Sequence, residues 1–423
     1  MRFSSARRSF FGKISSVVAG AGLAARVHPL EAAQAAGPSA GDGVDYYDKL
    51  GVKKIVNAAG TYTALTASIM PDPVQAAVAR AAKNPVHLDE LQKNAGEYIA
   101  QRLQCEAAVV TAGAASALTL GTAACVTIAN KCGIRDIPQE VPHLKNEVIV
   151  QKGHRYGYDQ ALLCAGIEFV QVETLEQYDA AFNEKTVMAH FYNAAEEGSI
   201  GREDWIRVAH KHGVPCFNDA AADVPPIANL WNYTKMGFDL VTFSGGKGIR
   251  GPQNAGLLLG RKDLIAAAAA SNNPNDGVGR GMKVAKEQIV GMVAALDWFL
   301  SQSDEAFDKE YRGRADRIAA ELKGIPTLET SIAVPPVANH IAHLLIRYDQ
   351  TKVKISPREA MAELRQGTPS IELNPSTGAT RGASAGIPAD GKTIVVGVWM
   401  LQPGEDLIVG QRLKEVLTKA VQG

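Results

Sequence analysis

The chain has 423 residues, 46% of them hydrophobic, and its 44 Lys and Arg balance its 44 Asp and Glu. That length and apolar share suit one large domain plus a smaller one. The neutral balance excludes both the basic field of a nucleic-acid binder and an acidic interaction tract. Five cysteines, Cys105, Cys125, Cys132, Cys164 and Cys216, show no C-x-x-C spacing. They argue against a disulfide framework and against a zinc site, so no metal is expected.

The N-terminus reads as a targeting segment. Ser5-Ala6-Arg7-Arg8-Ser9-Phe10-Phe11-Gly12-Lys13 is a twin-arginine pattern, followed by a weakly apolar run from Ile14 to Ala25 and the small-residue triplet Ala33-Gln34-Ala35. Charged start, apolar middle and cleavage site give residues 1–35 the plan of a signal for the twin-arginine (Tat) route, which exports folded proteins. The expected location is the periplasm or beyond. The alternative is a loose tail with a chance arginine pair. This apolar run is too short to span a bilayer, and no other run is long enough, so stable membrane insertion is not expected. Residues 36–43 form a small-residue linker.

Residues 44–300 then read as a large domain and 301–423 as a small C-terminal one, with the N-terminal segment joining the small domain. Tyr46 to Ile55 reads as a short helix and turn, and Asn57 to Thr63 as a loop. Leu88, Leu91, Ala95, Ile99 and Leu103 repeat at helical spacing. Strand-like runs follow at Ala107–Thr111, Glu147–Gln151, Glu168–Val172, Val187–Phe191, Pro215–Asp219, Leu240–Phe243 and Gly256–Leu259. Helix-length segments such as Arg202–His212 separate most of them. The pattern predicts an α/β fold with a seven-stranded, mainly parallel sheet. The last two runs are joined too tightly for a crossover, so the final strand is expected to be antiparallel.

Ligands of such sheets sit outside the carboxyl ends of the strands. Ser244-Gly245-Gly246-Lys247 follows the sixth run. A lysine held there on glycines is placed to be a buried amine with a lowered pKa, a nucleophile toward carbonyls. The aldehyde of pyridoxal 5′-phosphate (PLP) is the obvious partner; the competing reading is a solvated turn lysine. Asp219 ends an apolar strand, where a protonated pyridine nitrogen would partner it; it would equally cap a following helix. Gly113, Ala114, Ala115 and Ser116 stand where a helix begins, as a phosphate cradle or as simple close packing. His154, in Gly153-His154-Arg155-Tyr156, offers a flat ring to stack on a cofactor, or is structural.

The order of these motifs resembles the fold-type-I PLP-dependent enzymes, and more narrowly the branch containing selenocysteine synthase and D-glucosaminate-6-phosphate ammonia-lyase. The resemblance rests on Ile55-Val56-Asn57-Ala58-Ala59-Gly60-Thr61, Leu88-Asp89-Glu90-Leu91-Gln92, the 110–120 segment and Gly153-His154-Arg155. Its most specific parts are Phe243-Ser244-Gly245-Gly246-Lys247 with Gly251-Pro252-Gln253, and Gly279-Arg280-Gly281-Met282-Lys283-Val284. It implies a fold-type-I PLP-dependent transferase fold with a smaller C-terminal α/β domain. It further implies Lys247 as the Schiff-base lysine, Asp219 on the pyridine nitrogen, Ala221 and His154 on the two ring faces, and Ser244 with the 113–116 loop on the phosphate. A homodimer or larger homo-oligomer is implied too, with Arg280 and Lys283 serving a neighbouring subunit. The segment from Asn374 to Lys392 looks like an insertion.

The expected activity is that of a PLP-dependent lyase or transferase acting on a small amino acid or amino sugar acid. Ammonia-lyase-type elimination to a 2-oxo acid leads. Aminotransferase or racemase-type chemistry is the alternative, and a non-catalytic binding protein of the same fold is the competitor from another class. The partner is a small-molecule amine. A selenium transferase acting on tRNA is disfavoured by the neutral charge balance and the export signal. Arg155, Arg250, Arg280 and Arg381 are candidates for the substrate carboxylate. Replacing Arg7 and Arg8 by lysine is expected to hold the folded protein in the cytoplasm; fractionation that still finds it in the periplasm overturns the targeting assignment.

Overall fold

A computed structural model describes residues 43–193, 198–382 and 386–422. The targeting segment and the linker before Gly43 lie outside the described residues. Residues up to Lys53 form a unit of their own. Among its described residues the helix Tyr46–Lys49 is capped by the Asp45 carboxylate, which accepts the Tyr47 N–H at 2.9 Å. All that follows concerns the unit from Lys54 onward.

Seven strands make the main sheet: β2 (Ala107–Thr111), β3 (Glu147–Gln151), β4 (Glu168–Val172), β5 (Thr186–Tyr192), β6 (Cys216–Asp219), β7 (Leu240–Ser244) and β8 (Gly256–Gly260), in the order β2-β8-β7-β6-β5-β3-β4. Pairings from β3 to β7 are parallel, and β8 runs antiparallel to both β7 and β2. The sequence expectation of a seven-stranded, mainly parallel sheet with an antiparallel last strand holds. The β7–β8 link is too short to cross over, which forces the reversal.

Alternate residues of each strand feed two cores, one on either face. Val109, Val148, Leu240 and Leu258 pack on one side; Val110, Ile149, Val241 and Leu257 pack on the other. That two-sided burial explains why the strands are continuously apolar rather than alternating. The helix Gly113–Asn130 lies in the first core, buried from Ser116 to Val126. It is long and apolar enough to cross a membrane, contrary to the expectation that no run past the signal would be. Its apolar surface is spent against the sheet instead, beside Phe217 and Leu240.

Two smaller sheets come from the chain's ends. β1 (Ile55–Ala58) pairs in parallel with β11 (Ser370–Leu373), Ile55 opposite Ser370. β9 (Glu329–Ala333), β10 (His343–Arg347) and β12 (Ile394–Gly397) form an antiparallel sheet in the order β12-β10-β9. Helices Asp304–Glu321, Pro357–Gln366 and Glu405–Gln422 accompany them. Most of the 374–392 segment is anchored at its base: Asn374 Nδ2 donates to Ala59 O at 3.0 Å, and Val395 N–H donates to Thr377 Oγ1 at 3.0 Å. Residues 383–385 of it lie outside the described residues. All five cysteines are free.

One close contact ties the antiparallel strand to the start of the helix. A Cβ on Gly256 would stand 2.5 Å from the Gly113 carbonyl carbon and 2.7 Å from Ala114 N. Gly256→Ala is therefore expected to cost about 1–3 kcal/mol by overpacking, seen as a lower thermal unfolding midpoint.

Candidate active site

The carboxyl ends of β2, β6 and β7 open on the same sheet edge, because those three strands point the same way. A cavity of about 300 Å³ lies there, lined by Gly113–Ala115, Tyr156, Tyr192, Asp219, Ala221, Ser244 and Lys247 among others. Its volume falls at the lower end of ordinary ligand pockets.

Lys247 comes from the turn after β7. Gly245 N–H donates to Ala255 O at 2.8 Å and Gly251 N–H to Gly245 O at 2.7 Å, which folds the turn back on itself. There is no room for side chains in it: a Cβ on Gly248 would stand 2.0 Å from Val224 O. Lys247 is thus the first side chain after Ser244 free to enter the cavity. Burial pulls its ammonium pKa below the lysine range, against the opposing charges of Asp219 and Asp223. A solvated turn lysine is not what the structure shows.

Asp219 is 4% exposed at the end of β6. Burial raises its carboxyl pKa, opposed by hydrogen bonds from Tyr156 and the Ala221 N–H and by the charge of Lys247. The Tyr156 hydroxyl donates to Asp219 Oδ2, and Ala221 N–H donates to Oδ1 at 3.0 Å. No helix begins here; the next one starts at Asn229 with Ala228 before it. The capping alternative for Asp219 therefore fails. Asp223, four residues on, also lines the cavity, and burial pushes its carboxyl up to about 6. Asn193 and Tyr233 donate to its Oδ2.

Gly113, Ala114 and Ala115 line the cavity as the first turn of an 18-residue helix that no side chain caps. Gly113 takes φ +81°, a conformation that favours glycine. Ser116 stands behind them, 5% exposed, with no hydrogen-bond partner for its Oγ among the described residues. Free N–H groups, an unpaired hydroxyl and the helix dipole suit a phosphate.

His154 does not line this cavity. The short turn Lys152–His154 carries it inward, fully buried and edge-on to Phe191 at 4.6 Å between ring centres. Its Nδ1 accepts the Tyr192 N–H at 3.2 Å. The aromatic wall is Tyr156, stacked on Tyr192 at 3.9 Å with 25° between planes. Sequence reasoning missed Tyr156 although it stands two residues after the histidine. The signal available was its hydroxyl, which a buried carboxylate nearby would need. Thr63, Tyr158, Gln253 and Asn254 also line the cavity and were not anticipated.

None of the four candidate arginines lines it. Arg155 pairs with Asp159 and lies over Phe169; Arg250 donates to Ile69 O at 3.0 Å and lies over Trp298. Arg280 is 3.9 Å from Asp276, and Arg381 is exposed. At the opposite end of β6, His210, Cys216 and Asp239 bring ligand-type atoms within 4.8 Å of one another. There Arg261 and the Cys216 N–H already occupy the Asp239 carboxylate at 3.0 and 2.8 Å.

Residues 55–334 match the family described as SelA, L-seryl-tRNA selenium transferase. The chain belongs to this family. D-glucosaminate-6-phosphate ammonia lyase of Salmonella typhimurium is 28% identical over 76% of the chain and 87% of its own length. 5′-C-glycyluridine monooxygenase-decarboxylase of a Streptomyces species is 29% identical over 77% of the chain and 83% of its own. A solved structure of D-glucosaminate-6-phosphate ammonia-lyase superposes with a TM-score of 0.76 at 26% identity, covering 89% of this chain and 99% of that one. The family and the architecture make the chain a fold-type-I PLP-dependent enzyme.

The residues present fit that cofactor. The uncapped helix start with Ser116 and Ser244 suits its phosphate, Asp219 its ring nitrogen, Tyr156 its ring and Lys247 its carbonyl carbon. Lys247→Ala is expected to fold, yet to take up PLP without the Schiff-base absorbance band and without turnover. Arginine is not expected to rescue it, since a guanidinium stays protonated. Retained absorbance in the alanine variant would remove Lys247 from this role.

Proposed function

We propose that this chain is an ammonia-lyase-type enzyme that converts an amino acid or amino sugar acid to a 2-oxo acid and ammonia. The observation that carries the reading is the pairing of a neutral-leaning lysine with a buried carboxylate in one cavity, beside an open helix N-terminus. Bound PLP supplies a carbonyl for the substrate amine and a ring that accepts the electrons left at Cα. The protein's share is positional and protonic. Lys247 Nζ is placed to take the proton from Cα, and burial, which lowers its pKa, favours the neutral amine that a base needs. It then protonates the departing β-hydroxyl, which leaves as water. By returning to the cofactor's carbonyl carbon, Lys247 would release the product amine, which water would convert to the 2-oxo acid and ammonia.

Asp219 keeps the ring nitrogen protonated. Its raised pKa reflects an environment that penalises a lone carboxylate, so a cation beside it is favoured. The hydroxyl of Tyr156 and the Ala221 N–H fix the carboxylate's orientation. Tyr156, Tyr192 and Leu118 line the cavity beside these charges.

The similarity to the monooxygenase-decarboxylase supports a second reading, in which the same residues serve other chemistry at the α-carbon, such as transamination or racemisation. The same proposal includes a homodimer or larger homo-oligomer, and export through Arg7 and Arg8. The lack of an arginine at the cavity among the described residues supports a neighbouring subunit's Arg280 or Lys283 as the carboxylate's partner.

The test is release of ammonia and 2-oxo acid from amino acids and amino sugar acids by purified enzyme, with Asp219→Asn alongside. The amide keeps the shape and removes the charge. Cα–H exchange in deuterated water is expected to slow by about a hundredfold, equivalent to roughly 2.7 kcal/mol of barrier, with the cofactor still bound. Unchanged exchange overturns the role given to Asp219; amine transfer in place of ammonia release favours the second reading.

A further inference from the structure

A second cavity, of about 130 Å³, adjoins the first: Thr63, Tyr158 and Lys247 line both. Its own walls are the loop from Ala59 to Tyr62, with Asn339, His343, Asn374 and Trp399. Trp399 is 3% exposed, and its Nε1–H has no hydrogen-bond partner among the described residues. The buried Oδ1 of Asn339 has none either. Such atoms are costly to leave unpaired, so a molecule entering this cavity gains by meeting them.

The third group fixes the character of the wall. His343 Nδ1 lies 2.9 Å from Ile341 O. A carbonyl oxygen only accepts, so the proton is on Nδ1. Burial lowers the pKa of this imidazole and keeps it neutral, which leaves Nε2 as a lone-pair acceptor. The wall therefore presents a fixed donor in Trp399, fixed acceptors in Asn339 and His343, and hydroxyls from threonine and tyrosine that do either. Lys247 is the one cationic side chain among the described lining residues, and it is committed to the cofactor. A phosphate, an acceptor-only dianion, would face two acceptors here with no counter-charge from the described lining residues, the cations proposed from a neighbouring subunit being assigned to the carboxylate. A hydroxyl donates and accepts, as this wall does.

We propose that this cavity is the subsite for the substrate's tail, and that it selects an uncharged, polyhydroxylated chain, as in an amino sugar acid without a phosphate. The proposal rests on the reading of Lys247 as the cofactor lysine. It separates this chain from its ammonia-lyase relatives, whose named substrate carries a 6-phosphate. Gly60 keeps the donor reachable: it takes φ +129°, and a Cβ there would stand 3.2 Å from Trp399 Nε1, in front of the indole N–H.

The test is calorimetric titration of the PLP-loaded enzyme with gluconate and with 6-phosphogluconate. Both carry the same carboxylate and no amine, so neither reacts and their difference reports the tail alone. Gluconate is expected to bind at least about tenfold more tightly. Trp399→Phe keeps the ring and loses the N–H; it is expected to weaken gluconate by about tenfold with the cofactor's visible absorbance unchanged. Asn339→Gly removes the second atom at a left-handed position, φ 48°, that glycine accepts, and serves as well should the tryptophan variant fail to fold. Equal or tighter binding of 6-phosphogluconate overturns the proposal, as does unchanged gluconate affinity in the folded variants. Wild-type protein that takes up PLP without the Schiff-base absorbance band overturns the cofactor assignment instead, and that is read before either acid is added.

Discussion

A lysine and a carboxylate share one cavity, and each is pushed by burial toward its neutral form. Neither is comfortable there alone. Desolvation penalises both charges, and their mutual attraction repays only part of it. In the proposed role a bound cofactor would answer both needs, a covalent partner for the amine and a cationic nitrogen for the carboxylate. The surrounding fold is arranged to keep that unequal pair dry and aligned.

Alignment comes from strand polarity. β2, β6 and β7 run in one direction, so Gly113, Asp219 and Ser244 emerge at one edge. The antiparallel β8 lies between β2 and β7 and brings no helix of its own to the gap. Its Gly256 lets the helix start at Gly113 approach the strand closely. Dryness comes from the helix Gly113–Asn130, whose buried middle seals one face of the sheet while its polar first turn stays open to the cavity. A single helix thus serves as core and lines the cavity with its first turn, which explains a composition that passes for a membrane span.

The fold was legible because strands buried on both faces leave long apolar runs, and because alternation with helical segments admits few topologies. Lys247, Asp219 and the 113–115 turn were legible for a related reason: polar residues at the end of apolar strands stand out. His154 was misplaced because sequence position after β3 does not say which side chain a short turn sends inward. The turn ending at His154 buries that ring on Phe191 and leaves Tyr156 for the cavity. Trp399, Asn339 and His343 were invisible for a different reason. They reach the site from residues far along the chain, and nothing local marks an indole or an amide as unpaired.

The pairing of β1 with β11 carries a consequence for how the enzyme comes into being. Strand Ile55–Ala58, which leads into the Ala59–Thr63 wall, is held by Ser370–Leu373 and by Asn374, a partner 315 residues later in the chain. During synthesis the seven-stranded sheet and its lysine are complete once Gly260 has emerged, whereas the wall facing the substrate waits for the final quarter of the chain. Closure of so large a loop comes late and slowly. Maturation is therefore ordered in time: the half that carries Lys247 precedes the half that completes the second cavity. A nascent or C-terminally truncated chain would hold the reactive amine without the groups that choose what reaches it.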